Sequence, residues 1–363
     1  MDTNAFTFNP FDFKRLETVA GNLQAVMKQA EEVAITKLLE TISVTPPYFA
    51  FTKAYRFNDI LIAPVEKEQL VTFESTPLTS AEASRHLAIL GSCVVAAEQT
   101  ERKHYIAHKA RFRLGEMVGD VTKLQGALYA IALPLFVSKK EAAACTMLVT
   151  EKGQVVFKFK VGYQVIPRKT FQRVFSDFVM DTPPVDFNPY RKIPDFERMS
   201  IKGNVLTAQL PDIPKAMCAG HFDGVPMLPI GIFAYMANNA IGTFLREITG
   251  SRMADLGMRY HLIGAEMDVY LPIALHQGGV LEITYHGLNN DNYLFSWITK
   301  NPQGDTINTM TISFACSHQL ASVKQLQYYE AIEHELERYR ILCDSLSQEN
   351  RLLKERLQEP QAH

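Results

Sequence analysis

His221 opens the stretch HFDGVPMLPIG, with a glycine and two prolines between it and a long apolar run. Imidazole has an ordinary pKa of about 6.5, so it can accept or release a proton near neutrality. Gly224 and the prolines predict a tight turn that fixes the ring. A helix starting near Ile230 and Gly231 leaves unbonded N–H groups that can hold an oxygen gaining negative charge. A base beside such donors suits abstraction of an α-proton next to a carbonyl, whose oxygen the donors then hold. Expelling a hydroxyl group as water also needs an acid, and the apolar run after His221 supplies none.

Other reactive side chains carry weaker signals. Cys218 lies three residues before His221 with nothing beside it to activate a thiol. His104 and His108 fall in HYIAHKA, which reads as a strand; four residues along a strand span about 13 Å, too far for one ion. Glu266 and Asp268 share one face of the predicted strand GAEMDVYLP, where they can line a tunnel or stand in solvent at its rim. No redox-active or metal-holding cysteine spacing occurs: the five cysteines are scattered and odd in number, which predicts a reducing compartment and no zinc site.

The elements that must position these groups fall into two similar sets. Residues 12–43 predict an amphipathic helix, with Leu16, Val19, Leu23, Val26 and Met27 at helical spacing, stopped by Pro46-Pro47. From 48 to about 175 the pattern is mainly β around one helix, SAEASRHLAILGSCVVAAEQ, capped by Thr79 or Ser80. A proline-rich stretch over 176–199 reads as a linker. From 200 the plan repeats: a strand, the His221 turn, an apolar helix, then four β-rich segments. Both helices lack a polar face, as a helix enclosed by a sheet must. The repetition implies an internal duplication.

The tail differs in kind. Tyr329, Ile332, Leu336, Tyr339, Cys343, Leu346, Asn350, Leu353 and Leu357 alternate in steps of three and four, the seam of a coiled coil. Asn350 at a core position and flanking pairs of Glu335 and Glu349 with Arg340 and Lys354 favour a parallel dimer in fixed register. Segment 322–358 is thus expected to join this chain to a copy of itself or to a related partner.

Net charge and hydropathy exclude some classes. A formal charge of -2 gives no basic surface for nucleic acid, and 47% hydrophobic with 21% charged residues describes a folded chain. No apolar run is long enough to span a bilayer, and the acidic, proline-interrupted first residues do not resemble a signal peptide, so a cytoplasmic location is expected.

His221, Phe222, Gly224, Pro226 and Pro229 resemble the "HF-x-G-x-P-x-x-P" signature of hot-dog-fold 3-hydroxyacyl-thioester dehydratases of the acyl carrier protein type. The resemblance covers roughly 200–317 directly. In that family the acid follows on the same helix; here Tyr235 occupies its place and Asn239 follows one turn later, which implies a degenerate second site. Glu82-Ala83-Ser84-Arg85-His86 resembles the family's acid helix, "[DE]-A-x-x-[QH]". The resemblance therefore implies one composite site, with His221 as base, Glu82 as acid and His86 orienting it. Gly224, Ile230 and Gly231 would form the turn and the oxygen-binding donors, and Phe233, Met236 and Leu87 the acyl tunnel. An acid in a helix's first turn also simply complements the dipole, so Glu82 has a plain structural reading too.

The expectation is an α+β tandem double hot-dog. It divides into an N-terminal helical arm (1–47), a first hot-dog (48–175), a linker (176–199), a second hot-dog (200–320) and a coiled coil (321–363). The activity expected is dehydration of a 3-hydroxyacyl thioester to the trans-2-enoyl product, with no metal or redox cofactor and the substrate carried on phosphopantetheine of acyl carrier protein or coenzyme A. A hot-dog acyl thioesterase, in which a carboxylate activates water, and a non-catalytic acyl-binding scaffold are the alternatives.

Overall fold

The computed structural model describes residues 6–316 except 7, 71–72, 75, 98, 100, 116–125, 181–184, 186, 223, 251–259, 274–277 and 291, and for Cys316 the backbone alone. The expected coiled coil lies outside the described residues. None of the described helices is long and apolar enough to cross a membrane.

Two stretches of chain build the same arrangement. In the first, β2 (Ala54–Phe57) and β3 (Ile60–Val65) form a hairpin, followed by helix α4 (Ser80–Ala96). Strands β4 (Lys103–Leu114), β5 (Leu128–Val137), β6 (Glu141–Thr150) and β7 (Val155–Pro167) come next. In the second, β8 (Glu197–Lys202) and β9 (Val205–Gln209) precede helix α6 (Ile230–Thr249). It ends with β10 (Tyr260–Val269), β11 (Val280–Asn289), β12 (Asn292–Lys300) and β13 (Thr306–Cys316). The spatial orders are β2-β3-β5-β6-β7-β4 and β8-β9-β11-β12-β13-β10. Position for position the two orders are the same. The two sets join edge to edge where β4 pairs antiparallel with β10, Glu266 opposite Arg111. One antiparallel sheet results, with two long helices against it.

Those helices form for the reason the sequence suggests. Thr79 caps α4 by accepting a hydrogen bond from the Glu82 N–H at 3.1 Å. Of its 17 residues only Ala88 and Ser84 escape full burial, and they face a cavity described below. Helix α6 has Pro229 at its cap position, which offers no side-chain oxygen. Its first internal bond runs from the Ile232 N–H to the Pro229 carbonyl at 2.9 Å, leaving the Ile230 and Gly231 N–H groups over.

The N-terminal arm is not the single helix expected over 12–43. Gly21 and Asn22 interrupt it, giving α1 (Lys14–Gly21) and α2 (Leu23–Met27), then strand β1 (Glu31–Val33) on the edge of β2 and a last short helix, α3 (Ile35–Leu39). The apolar spacing still did its work: Leu16, Val19, Leu23 and Val26 pack on Ile60, Ile62, Ile131 and Met147 of the first sheet. Helix α5 (Arg168–Val174) lies just before the stretch expected as a linker (176–199), Tyr190 is buried within that stretch, and β8 starts inside it at Glu197.

Candidate active site

The site lies where α4 and α6 cross. Gly231 makes the crossing possible: a Cβ there would sit 3.0 Å from the Cβ of Arg85 on α4. The start of α6 is thereby laid against the face of α4 that carries Ala81, Ser84, Arg85 and Ala88.

His221 is held by its whole turn. Gly220 has φ +76, and a Cβ would meet the Thr45 carbonyl at 2.1 Å, so only glycine lets segment 44–45 approach. Val44 then forms a β-bridge with His221. Phe222 adopts a left-handed φ of +59, which costs a bulky residue about 1 kcal/mol or more. Its ring is anchored among Phe171, Val225 and Met227, and this packing holds the strained turn. The imidazole Nδ1 lies 3.0 Å from the Met227 carbonyl, which can only accept, so Nδ1 carries the hydrogen and Nε2 keeps its lone pair. Burial pushes the His221 pKa down to about 4, opposed by the Met227 carbonyl, so the ring is neutral at pH 7.

Tyr48 links this turn to α4. Its ring meets His221 edge to face at 4.8 Å, and the Arg85 guanidinium lies over it at 5.4 Å. Arg85 also lies over Tyr190 at 5.2 Å and pairs with Glu68. Two cavities flank Tyr48. One, about 100 Å³, is lined by His221, Tyr48, Ser92, Tyr105 and Ile230 among others. The second, about 60 Å³, is lined by Ser84, Arg85, Ile230, Gly231, Phe112 and Met310 among others. Tyr48, Ala88, Ala107 and Ile230 line both, so the two apolar cavities adjoin at the start of α6. The larger has room for several waters, each needing about 10–15 Å³.

The smaller cavity has one polar side. Asn238 of α6 donates to Glu74 Oε1 at 3.1 Å and to the Ser80 hydroxyl at 3.0 Å; Ser80 in turn donates to Glu74 through its hydroxyl at 2.9 Å and its N–H at 2.8 Å. Burial raises the Glu74 pKa despite these bonds. Ser80 and Asn238 line the cavity.

Glu82 does not join His221. Its carboxylate accepts from the Glu68 N–H at 2.5 Å and the Gln69 N–H at 3.2 Å, with His86 Nε2 3.7 Å away, and it lines neither cavity. The reason is helical phase. Ala81, Ser84, Arg85 and Ala88 follow the i, i+3, i+4, i+7 pattern of the face turned to the cavity, whereas Glu82 and His86 lie about 100° round. Because α4 starts at Ser80 and α6 at Ile230, the residue in α4 that corresponds to Tyr235 is Arg85. A guanidinium occupies the place from which the resemblance implied an acid.

Other expectations fare variously. Gly224 has φ +75 in the turn, and Ile230 and Gly231 line the smaller cavity. Phe233, Met236 and Leu87 are fully buried but line neither cavity; Phe233 packs on Phe196 and Trp297. The smaller cavity is lined instead by small residues and by Phe112, Phe159, Met267 and Met310. The Tyr235 hydroxyl donates to the Leu70 carbonyl, and Asn239 donates to Asp195. Glu266 and Asp268 turn away from the smaller cavity, which takes their neighbours Ala265 and Met267, and pair with Arg111 and Arg113 across the β4–β10 seam. His104 stacks on Phe171 at 3.7 Å. Burial raises the Cys218 pKa to about 12, so its thiol stays protonated. Tyr48, Arg85 and the Glu74–Ser80–Asn238 cluster escaped sequence reasoning; an arginine inside a helix with no polar face was the one visible signal.

No protein-family profile matches the chain, and neither does any curated protein. Solved structures do resemble it. An acyl-CoA thioesterase II from Mycobacterium marinum is 12% identical, with 78% of this chain and 97% of that one covered and a TM-score of 0.42. The 12:0-ACP thioesterase from Umbellularia californica is 7% identical, with 75% and 100% covered and a TM-score of 0.43. A hot-dog-fold protein from Alicyclobacillus acidocaldarius is 10% identical, with 76% and 99% covered and a TM-score of 0.41. Likeness at this level carries no argument about activity. The geometry corrects the dehydratase expectation: Glu82 is turned to the Glu68 and Gln69 N–H groups, and no carboxyl group among the described residues lines the His221 cavity to protonate a departing hydroxyl.

Proposed function

We infer that the chain is an acyl-thioester hydrolase of tandem double hot-dog form, acting on acyl groups carried by the pantetheine arm of coenzyme A or acyl carrier protein. The observation that carries this reading is a pair of adjoining apolar cavities, one lined by the neutral His221 imidazole and both by Ile230 at the start of α6, where the Ile230 and Gly231 N–H groups have no hydrogen-bond partner among the described residues. Hydrolysis needs a base and an oxyanion donor, and no acid beyond the base itself.

His221 Nε2 takes a proton from water, and the water oxygen attacks the thioester carbonyl. The carbonyl oxygen gains charge against the Ile230 and Gly231 N–H groups, where the helix dipole also favours it. When the intermediate collapses, the carbon–sulfur bond breaks and the thiolate leaves with the proton from His221. The carboxylic acid remains. Phe112, Phe159, Met267 and Met310 give the acyl chain an apolar lining.

The test is release of free thiol from acyl-CoAs of graded length by the purified chain and by His221→Gln. Positioned base catalysis is typically worth 10²–10⁴-fold, so a loss of about that size is expected with the fold intact. Ser80→Ala is the informative companion. If it abolishes thiol release while His221→Gln does not, the chemistry belongs to the Glu74–Ser80 pair.

A further inference from the structure

About 100° round α4 from the face that lines the cavities, three ligating side chains converge that the proposed hydrolysis does not use. Glu82 and His86 stand one turn apart on α4, and Glu68 comes from the segment that leads to the helix. One ligand atom from each lies within 4.8 Å of the other two. Two carboxylates gathered in this way would not by themselves define a site.

The independent observation is His86. It is 1% exposed, and neither Nδ1 nor Nε2 has a hydrogen-bond partner. A buried polar group without a partner costs about 1–3 kcal/mol, and this ring carries two such atoms. Burial, with Arg85 nearby, keeps the imidazole neutral, the form that binds metals. Its Nε2 faces Glu82 Oε1 at 3.7 Å, a gap too long for a hydrogen bond and close to the separation of two ligands on one ion.

We propose that Glu68, Glu82 and His86 bind a divalent cation that clasps the segment before α4 to the helix. Two carboxylate oxygens and one imidazole nitrogen form a borderline ligand set suited to zinc, with a fourth position left for water. Two carboxylates offset the charge of a divalent ion, and Arg85, which pairs with Glu68, and Lys67 leave the surroundings positive. Each carboxylate already accepts hydrogen bonds, Glu68 from Arg85 and Asn188, Glu82 from the Glu68 and Gln69 N–H groups. These bonds are the outer partners that orient metal-ligating carboxylates, and a second lone pair on each oxygen remains for the ion. No metal could be read from the spacing, because Glu68 lies fourteen residues before Glu82 and is joined to it only by the fold.

The experiment uses the full chain without an affinity tag. Zinc alone is titrated in by calorimetry, zinc retained after dialysis is measured by mass spectrometry, and the melting temperature is followed with and without zinc. The expected result is tight uptake of one zinc ion per chain and a rise of several degrees in melting temperature, both lost in His86→Ala. Should His86→Ala fail to fold, Glu68→Gln, at a partly exposed position, must weaken zinc binding at least tenfold. Equal zinc uptake by wild type and variants, as adventitious binding at cysteines would give, overturns the proposal, as does no uptake at all. These readouts do not depend on thioester hydrolysis, so the site stands or falls apart from the proposed activity.

Discussion

At the scale of single residues, the turn around His221 is held by its glycines and by the packing of Phe222. Its sequence was legible because three of its positions have backbone reasons. Gly220 admits the Thr45 carbonyl, Gly224 takes a left-handed φ, and Phe222 is held in strain by the aromatic cluster around Phe171. Gly220→Ala should therefore destabilise the protein by more than about 2 kcal/mol, the sum of a left-handed alanine and a carbonyl clash, measured by urea unfolding. The same turn sets the pH dependence. With a His221 pKa of about 4, the base form is fully populated at neutral pH. The expected kcat/KM for thiol release is flat from about pH 7 down to 5 and falls tenfold per unit below 4; a fall centred near 6.5 would show that His221 is solvated or is not the base.

At the scale of elements, the order of strands and helices could be read from alternation and apolar runs, while the facing of α4 could not. Hydrophobic periodicity assigns a helix its inner face only when the other face is polar, and α4 is buried nearly all round. Nothing local could then say whether Glu82 or Arg85 meets the His221 turn. A resemblance in five residues set the register wrongly by three positions, about 60° round the helix. The N-terminal arm failed differently: its apolar spacing ran on past Gly21 and Asn22, while the pairing of Glu31–Val33 with β2 is a non-local contact invisible in the local pattern. The crossing of α4 and α6 can be tested directly. Gly231→Val adds branches where a Cβ already lies 3.0 Å from that of Arg85. Forcing the helices apart should cost about 1–3 kcal/mol and lower the melting temperature by several degrees. Because Gly231 also lines the smaller cavity, thiol release should fall further than stability does.

At the scale of the whole molecule, the repeated strand order places two buried helices and several histidines inside one continuous sheet, and this makes acid the expected weakness. Burial lowers the pKa of His221 and His104 to about 4 and that of His86 well below its ordinary value. In the unfolded chain each would titrate near 6.5. Between those values the unfolded state binds more protons than the folded state, so stability is complete above about pH 6.5 and is lost progressively towards pH 4. Glu74 and Glu82 act in the opposite sense. Burial raises their pKa, so the folded state takes up their protons first and recovers part of the loss as pH falls. His221 and His104 can each contribute on the order of 2–3 kcal/mol across the window, a sizeable share of a total stability of about 5–15 kcal/mol. The urea midpoint should accordingly fall steeply between pH 7 and pH 4.5. His104→Phe keeps the stack on Phe171 and removes one titrating ring. It should flatten that slope by about the share of one histidine, with little change in midpoint at pH 7; an unchanged slope would mean that His104 is protonated within the fold.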